Sequence, residues 1–316
     1  MTSSLARVVC LDTVMIDFAL KIVHLPERGG DSLSSQRVVT AGGGFNVMSA
    51  AHRQGLDATY VGQLGTGPFA DVARASLVSE GIEIAPIAPG ATDVGVCIVL
   101  VDADGERTFV TSSGAELTLR PADLAATVLG AGDVVYLSGY NVVYSEVART
   151  VSDWVGALAA EVVVAFDPGP RAADIDSAIL SRVLERTDWL LCNAREARLL
   201  SGDEDVATGA ATLRARWNCE RVVVRDGSHG CVGADEGGLI RAPGFETQVV
   251  DTNGAGDVHN GVVIAELARG TAWGEALVRA NAAAAIAIAS LGPATCPLRD
   301  EVDALVASQP RQVTRL

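Results

Sequence analysis

The chain has 316 residues, 49% of them apolar and 20% charged, and its 24 Lys and Arg against 39 Asp and Glu leave a formal net charge of −15. That length admits one large or two modest domains, with a core that needs no disulfide or structural metal. The composition is far from that of a disordered chain, and the negative charge argues against a nucleic-acid partner. 

Six cysteines (Cys10, Cys97, Cys192, Cys219, Cys231 and Cys296) are scattered without CxxC or zinc spacing, and read as reduced, buried thiols of a cytoplasmic protein. Asp12 and Asp17 interrupt the first apolar stretch, which spoils a signal peptide. The apolar run 282–289 is too short to span a bilayer, so no membrane partner is expected.

Taken in chain order, residues 34–40, 94–101 and 107–112 read as strands, the last two joined by the turn Asp102-Ala103-Asp104-Gly105-Glu106. Val94, Val96, Ile98 and Leu100 share one parity, and Val99 and Val101 lie on the other. These segments predict a small β-sheet, built from residues 15–40 and 93–115, inserted into a larger body formed by 1–14, 41–92 and 116–316. From about residue 133 the pattern turns regular. Strands at 134–138, 162–166, 189–192 and 221–225 alternate with amphipathic helices at 146–158, 175–186 and 205–217. That alternation predicts an α/β fold, its sheet mostly parallel and covered by helices on both faces. Residues 255–308 read as mostly helical, with 282–289 in a core-packed helix.

Three segments carry chemistry. In Asp251-Thr252-Asn253-Gly254-Ala255-Gly256-Asp257, two glycines and an alanine open a helix, so backbone N–H groups and the helix dipole make an anion hole with a carboxylate beside it. Such a carboxylate suits a general base working next to a phosphate. The same residues also read as a plain capped helix. Ala41-Gly42-Gly43-Gly44-Phe45-Asn46 is a second glycine-rich helix start; its Asn46 serves either as a cap or as a contact to sugar hydroxyls. The third, Asn193-Ala194-Arg195-Glu196, follows a strand at the sheet's carboxyl end, where two oxygen groups one turn apart suit a hydrated Mg²⁺ or an ordinary helix start. Neither glycine segment matches GxGxxG, and Gly62–Gly67 has the wrong spacing, which disfavours a dinucleotide-binding dehydrogenase.

In this order the segments resemble the ribokinase-like carbohydrate kinases, the phosphofructokinase-B family, over roughly residues 7–297. Residues 251–257 resemble that family's second signature and residues 41–55 its first, with Ala41 for the usual glycine. Asn193 to Glu196 resembles its Asn-x-x-Glu motif, and Asp167-Pro168-Gly169-Pro170-Arg171 its Asp-Pro-Asn-x-Arg strand end. The resemblance implies Asp257 as catalytic base, Gly254, Ala255 and Gly256 as anion hole, and Asp17, Gly42, Gly43 and Asn46 as sugar ligands. It implies Asn193 and Glu196 around Mg²⁺ and the triphosphate, Asp251 and Asn253 at a K⁺ site, and Arg225, Gly227 and Asn281 along ATP. The small sheet would be a lid, and two lids would clasp in a homodimer.

Departures bear on the substrate. Met15 stands where ribokinases carry a sugar-contacting Asn, and Gly67 and Ala70 replace residues of the lid hinge. His259 takes the place of a phenylalanine and reads as a polar residue on a half-buried helix face; His24, His52 and His229 show no partner pattern. Arg107, on a lid strand, reads as a surface arginine ahead of one reaching the site. The expected activity is ATP-dependent phosphorylation of a primary hydroxyl of a sugar or nucleoside. The rivals are a sugar-phosphate kinase, for which only Lys21, Arg37 and Arg107 offer cations, and a catalytically silent sugar-binding regulator.

Overall fold

The computed structural model describes residues 6–104, 106–292 and 296–316. Its strands and helices alternate as the periodicity requires. The amino-terminal part runs β1 (Arg7–Cys10), β2 (Val14–Lys21), β3 (Gln36–Gly43), α1 (Gly44–Arg53), β4 (Asp57–Tyr60), α2 (Pro68–Ser79), β5 (Glu83–Ile84), β6 (Val96–Val101) and β7 (Arg107–Ser112). The middle runs α3 (Pro121–Ala125), β8 (Val134–Ser138), α4 (Tyr140–Val143), α5 (Ser145–Gly156), β9 (Val163–Asp167), α6 (Ser177–Arg186), β10 (Trp189–Asn193), α7 (Ala194–Ser201) and α8 (Val206–Trp217). The remainder is β11 (Arg221–Arg225), β12 (Cys231–Asp235), β13 (Gly238–Ala242), α9 (Ala255–Ala268), α10 (Trp273–Ala287), α11 (Arg299–Ser308) and β14 (Thr314–Arg315).

The main sheet has the order β14-β13-β12-β11-β10-β9-β8-β1-β4-β5, parallel from β11 to β5 and antiparallel from β11 to β14. Alternate residues of each strand feed two separate cores. Val8, Tyr136, Ala165 and Leu191 face α1, α2, α9 and α10. Val9, Leu137, Phe166 and Leu190 face α3, α5, α6, α7 and α8. Burial on both faces is why these strands read as unbroken apolar runs.

The antiparallel edge was not foreseen. Gly233 interrupts the β pattern of β12 because a Cβ there would lie 2.6 Å from Leu277 and 2.7 Å from Trp273, so glycine is what lets α10 press onto the sheet. A similar approach joins α1 to α9, where a Cβ on Gly261 would come within 2.3 Å of the Val47 carbonyl oxygen.

The second sheet has the order β3-β2-β6-β7, with β2 and β6 parallel and the outer pairs antiparallel. Asp102 closes the β6–β7 hairpin, its carboxylate accepting from the N–H groups of Asp104 and Glu106; Gly105 of that turn lies outside the described residues. The buried parity of β6 is that of Cys97, Val99 and Val101, while Ile98 is exposed and Leu100 half-buried. The reason is that the face carrying Cys97, registered with Asp17, turns toward the main body.

Candidate functional site

The carboxyl ends of β9, β10 and β11 and the starts of α1, α7 and α9 converge on one cleft. α9 begins at Gly254, whose φ of 76° is left-handed, and no side chain caps it. No side chain therefore caps the helix as the plain reading required; the Ala255 N–H donates to the Thr252 carbonyl oxygen at 3.4 Å, and the N–H groups that follow are suited to an anion. Asn46 is not a cap either. It sits within α1, whose N-cap is Gly43, and its Nδ2 donates to Asp257 Oδ2 at 3.0 Å. The Asn46 Oδ1 is buried with no partner.

The first glycine run makes room for the protein itself. A Cβ on Gly42 would meet the Asp17 carboxylate at 2.2 Å, and one on Gly43, where φ is 63°, would meet the Thr13 carbonyl oxygen at 2.3 Å. Asp17 is thereby held against the turn that carries Asn46. Burial pushes Asp17 up to about 7, with the charge of Asp257 adding to the rise. Asp257 itself is raised to about 6 by burial, Asn46 and Arg225 pulling the other way and Asp167 pushing with it.

Asn193 is the N-cap of α7 and forms a capping box with Glu196, each Glu196 oxygen accepting from Asn193 at 2.8 and 2.7 Å. The helix-start reading thus holds in the geometry, and burial together with Asp167 lifts the Glu196 carboxyl above its usual range. Among the described residues, no three His, Cys, Asp or Glu side chains gather as a metal-ligand set.

Arg225 lies below the cleft, donating to Asp167 at 3.0 Å and to Asn260, with Glu196 at 3.8 Å. Asn260 in turn donates to Asp167 at 2.7 Å. Asp12, raised to about 7 chiefly by burial, accepts from Ser138 at 2.5 Å. Sequence pattern does not mark Asp12 and Asn260 as site residues: Asp12 follows β1 in the loop before β2, where a lone carboxylate after an apolar run is the available signal, and Asn260 sits beside His259 in α9.

A cavity of about 980 Å³ extends from this cleft, lined by Arg225, Gly227, Gly256, His259, Asn281 and Ile288 among others. A Cβ on Gly227 would meet nothing within 4 Å, so that side is open. Asn281 borders the cavity, but its amide is engaged. Nδ2 donates to the carbonyls of Ala242 and Pro243 at 3.0 and 3.2 Å, which leaves Oδ1 to accept from His259 Nε2 at 3.1 Å. His259 is thus wholly buried, and burial and Arg225 depress its pKa to about 3.

Asp251 closes the loop before α9. Its carboxylate accepts from the N–H groups of Asn253 at 2.9 Å and Gly292 at 3.0 Å. Arg107 reaches the same loop from β7, pairing with Asp251 at 3.5 Å and donating to Thr252 Oγ1, so it is no free surface arginine. Asp257, Asn46, Asp17 and Gly42 are gathered on one side of α9; Gly256, Gly227, Arg225 and Asn281 border the cavity on the other.

The pfkB family carbohydrate kinase profile matches residues 5–300. The chain belongs to this family. Within the pfkB family it is 33% identical over 301 residues to an uncharacterized sugar kinase, YegV, of Escherichia coli K12, covering 93% of this chain and 92% of that one. It is 30% identical to an ATP-dependent ribose-1-phosphate kinase of Halopiger xanaduensis, covering 96% and 99%. The fold is that of the ribokinase of Thermotoga maritima, with a TM-score of 0.81 at 24% identity over 96% of this chain and 100% of that one. As a pfkB protein the chain is a carbohydrate kinase with a mostly parallel central sheet and a separate small sheet.

Proposed function

We propose that this kinase transfers the γ-phosphoryl group of ATP to a primary hydroxyl of a sugar or nucleoside. The observation that carries the reading is the Asn46–Asp257 pair at 3.0 Å beside the uncapped start of α9, with the Asn46 Oδ1 left as a buried acceptor. A hydroxyl placed there donates to Asn46 or Asp257, and its oxygen faces the anion hole of Gly254, Ala255 and Gly256. Asp257 takes the hydroxyl proton as the oxygen bonds to phosphorus and the bond to the ADP oxygen breaks. Asp17, fixed by Gly42, holds further hydroxyls of the same substrate.

The cavity fits a nucleotide in size, in its open Gly227 side and in the unobstructed N–H groups at its mouth. Mg²⁺ would neutralise the phosphates. Both Glu196 oxygens already accept hydrogen bonds yet keep further lone pairs, so Asn193 and Glu196 suit a hydrated ion rather than direct ligation. Asp251 and Asn253 would border K⁺, and the small sheet would serve as a lid that excludes water.

A second reading, a sugar-phosphate kinase, is favoured by the ribose-1-phosphate kinase relative and by Lys21, which shares the face of β2 that carries Asp17. Arg37, registered with Leu20, lies on the opposite face. ADP release with a panel of free sugars, nucleosides and ribose 1-phosphate decides between them. Turnover on none of these would reject the kinase reading in favour of a silent sugar-binding protein.

A further inference from the structure

Arg107 leaves the small sheet and lands on the loop that opens α9, beside the mouth of the cavity. Its partner Thr252 lines that cavity, and the Thr252 carbonyl oxygen accepts from Ala255 N–H at 3.4 Å, at the first residue of α9. The guanidinium therefore meets the loop that leads into the N–H groups at the start of α9, the anion position. Among the described residues it makes the sole ion pair between strands β2, β3, β6 or β7 and the main body.

The charges around this mouth are lopsided. Asp251 pairs with Arg107 beside the cavity-lining Thr252, and Asp167 and Glu196 flank Arg225 at the cavity's edge. Arg225, the other cation at this end, is held by Asp167 and Asn260 with Glu196 nearby. Arg241 lies farther along the cavity wall and pairs with Asp226. Arg311, at the far wall, lies 5.3 Å over the Phe245 ring. A polyphosphate entering such a carboxylate-rich mouth needs a cation not already committed to the core. Arg107 is about a quarter exposed, and its resting bonds are a 3.5 Å ion pair and one threonine hydroxyl. Exchanging those for phosphate oxygens would give shorter, charge-assisted hydrogen bonds in the fork geometry that arginine favours.

We infer that Arg107 is a phosphate-binding residue delivered by the small sheet, which grips the β,γ end of the nucleotide and so ties closure of the sheet to the presence of a polyphosphate. The inference rests on the nucleotide reading of the cavity. It predicts discrimination by phosphate count, because AMP places its single phosphate short of the α9 start.

Calorimetric titration of ATP and AMP, with Mg²⁺ and no sugar, tests it in the full-length protein. Arg107→Met keeps the apolar stem and removes the charge. It should lose about tenfold or more in ATP affinity while AMP affinity stays within about twofold, and Arg107→Lys should recover part of the loss. AMP binding also reports that the variant is folded. Equal losses for ATP and AMP, or none for ATP, overturn the inference while the nucleotide reading stands. Failure of the parent chain to bind either nucleotide overturns both.

Discussion

Asp257 works against its surroundings. Burial raises its pKa to about 6, and Asp17 and Asp12 are raised to about 7 beside it, so the fold accepts carboxylates that would rather be protonated. Asp257→Asn should cut phosphoryl transfer by about 10²–10⁴ while nucleotide affinity is kept, as single-turnover assays and titrations would show. A turnover within about tenfold of the parent would remove Asp257 as the base. Because the folded-state pKa values lie above the unfolded ones, these groups stabilise the protein below about pH 4 and lose that contribution as pH rises through 6 to 7. Asp257→Asn should therefore raise Tm more at pH 8 than at pH 5. For the parent, kcat/KM should climb across the same interval as the base ionises. Asp17→Ala should raise the sugar KM at least about tenfold and leave ATP affinity unchanged, since it loses charge-assisted bonds to hydroxyls. Unaltered sugar KM would put the sugar elsewhere.

Much of this site was legible in the residues. The glycines before Asp257 announce a helix start suited to an anion, those before Asn46 make room for Asp17 and Thr13, and the order of the two runs along the chain carries the family resemblance. What stayed hidden depends on convergence. The bond from Asn260 to Asp167 spans 93 residues, and that from Ser138 to Asp12 spans 126, with nothing local to mark either. Asn281 is a different case: its place beside the cavity is where the resemblance implied, but its amide is spent on His259 and β13, which only the three-dimensional neighbourhood reveals.

At the scale of elements, the parallel half of the sheet follows from its β-branched runs, whereas the antiparallel edge was masked by Gly233 and by the glycines of the β12–β13 turn. The three terminal helices are joined by a charge rather than by apolar packing alone. Glu266 of α9, fully buried, accepts from Arg279 of α10 at 2.9 Å and Arg299 of α11 at 2.7 Å. Those partners and the Thr271 hydroxyl hold its carboxyl below the usual range despite the burial that opposes them. Glu266→Ala should cost about 3–5 kcal/mol by leaving two arginines without their shared partner. Urea unfolding measures this; a loss under about 1 kcal/mol would show the cluster to be replaceable.

On the scale of the whole molecule, Val39, Phe18, Ile98 and Val110 form one register row across the small sheet, in which Phe18 packs edge-on against Phe69 of α2 with ring centroids 5.7 Å apart. Val39, Ile98 and Val110 are exposed by 42, 39 and 58%. We expect a second copy to cover these three side chains, giving a homodimer. Light scattering should read about twice the 32.6 kDa chain mass, and Ile98→Glu should halve it. A monomer mass for the parent, unchanged by sugar and ATP, would reject the dimer. Activity should also vanish on chelation of Mg²⁺ and rise with K⁺; equal rates without K⁺ would discard the K⁺ site alone.

The hydrogen bond between Asn46 and Asp257 has one more consequence, for the ribosome. The two residues are separated by 211 positions, and β1 cannot be flanked on both sides until β8 has been made. At about 5–20 residues per second, the wait between the two halves of this hydrogen-bonded pair is on the order of 10–40 s. During that interval the face of α1 that will receive Gly261 has no helix to meet it. Synthesis of this kinase should accordingly depend on holding chaperones, and slowing elongation before residue 250 should increase the aggregated fraction rather than the folded one.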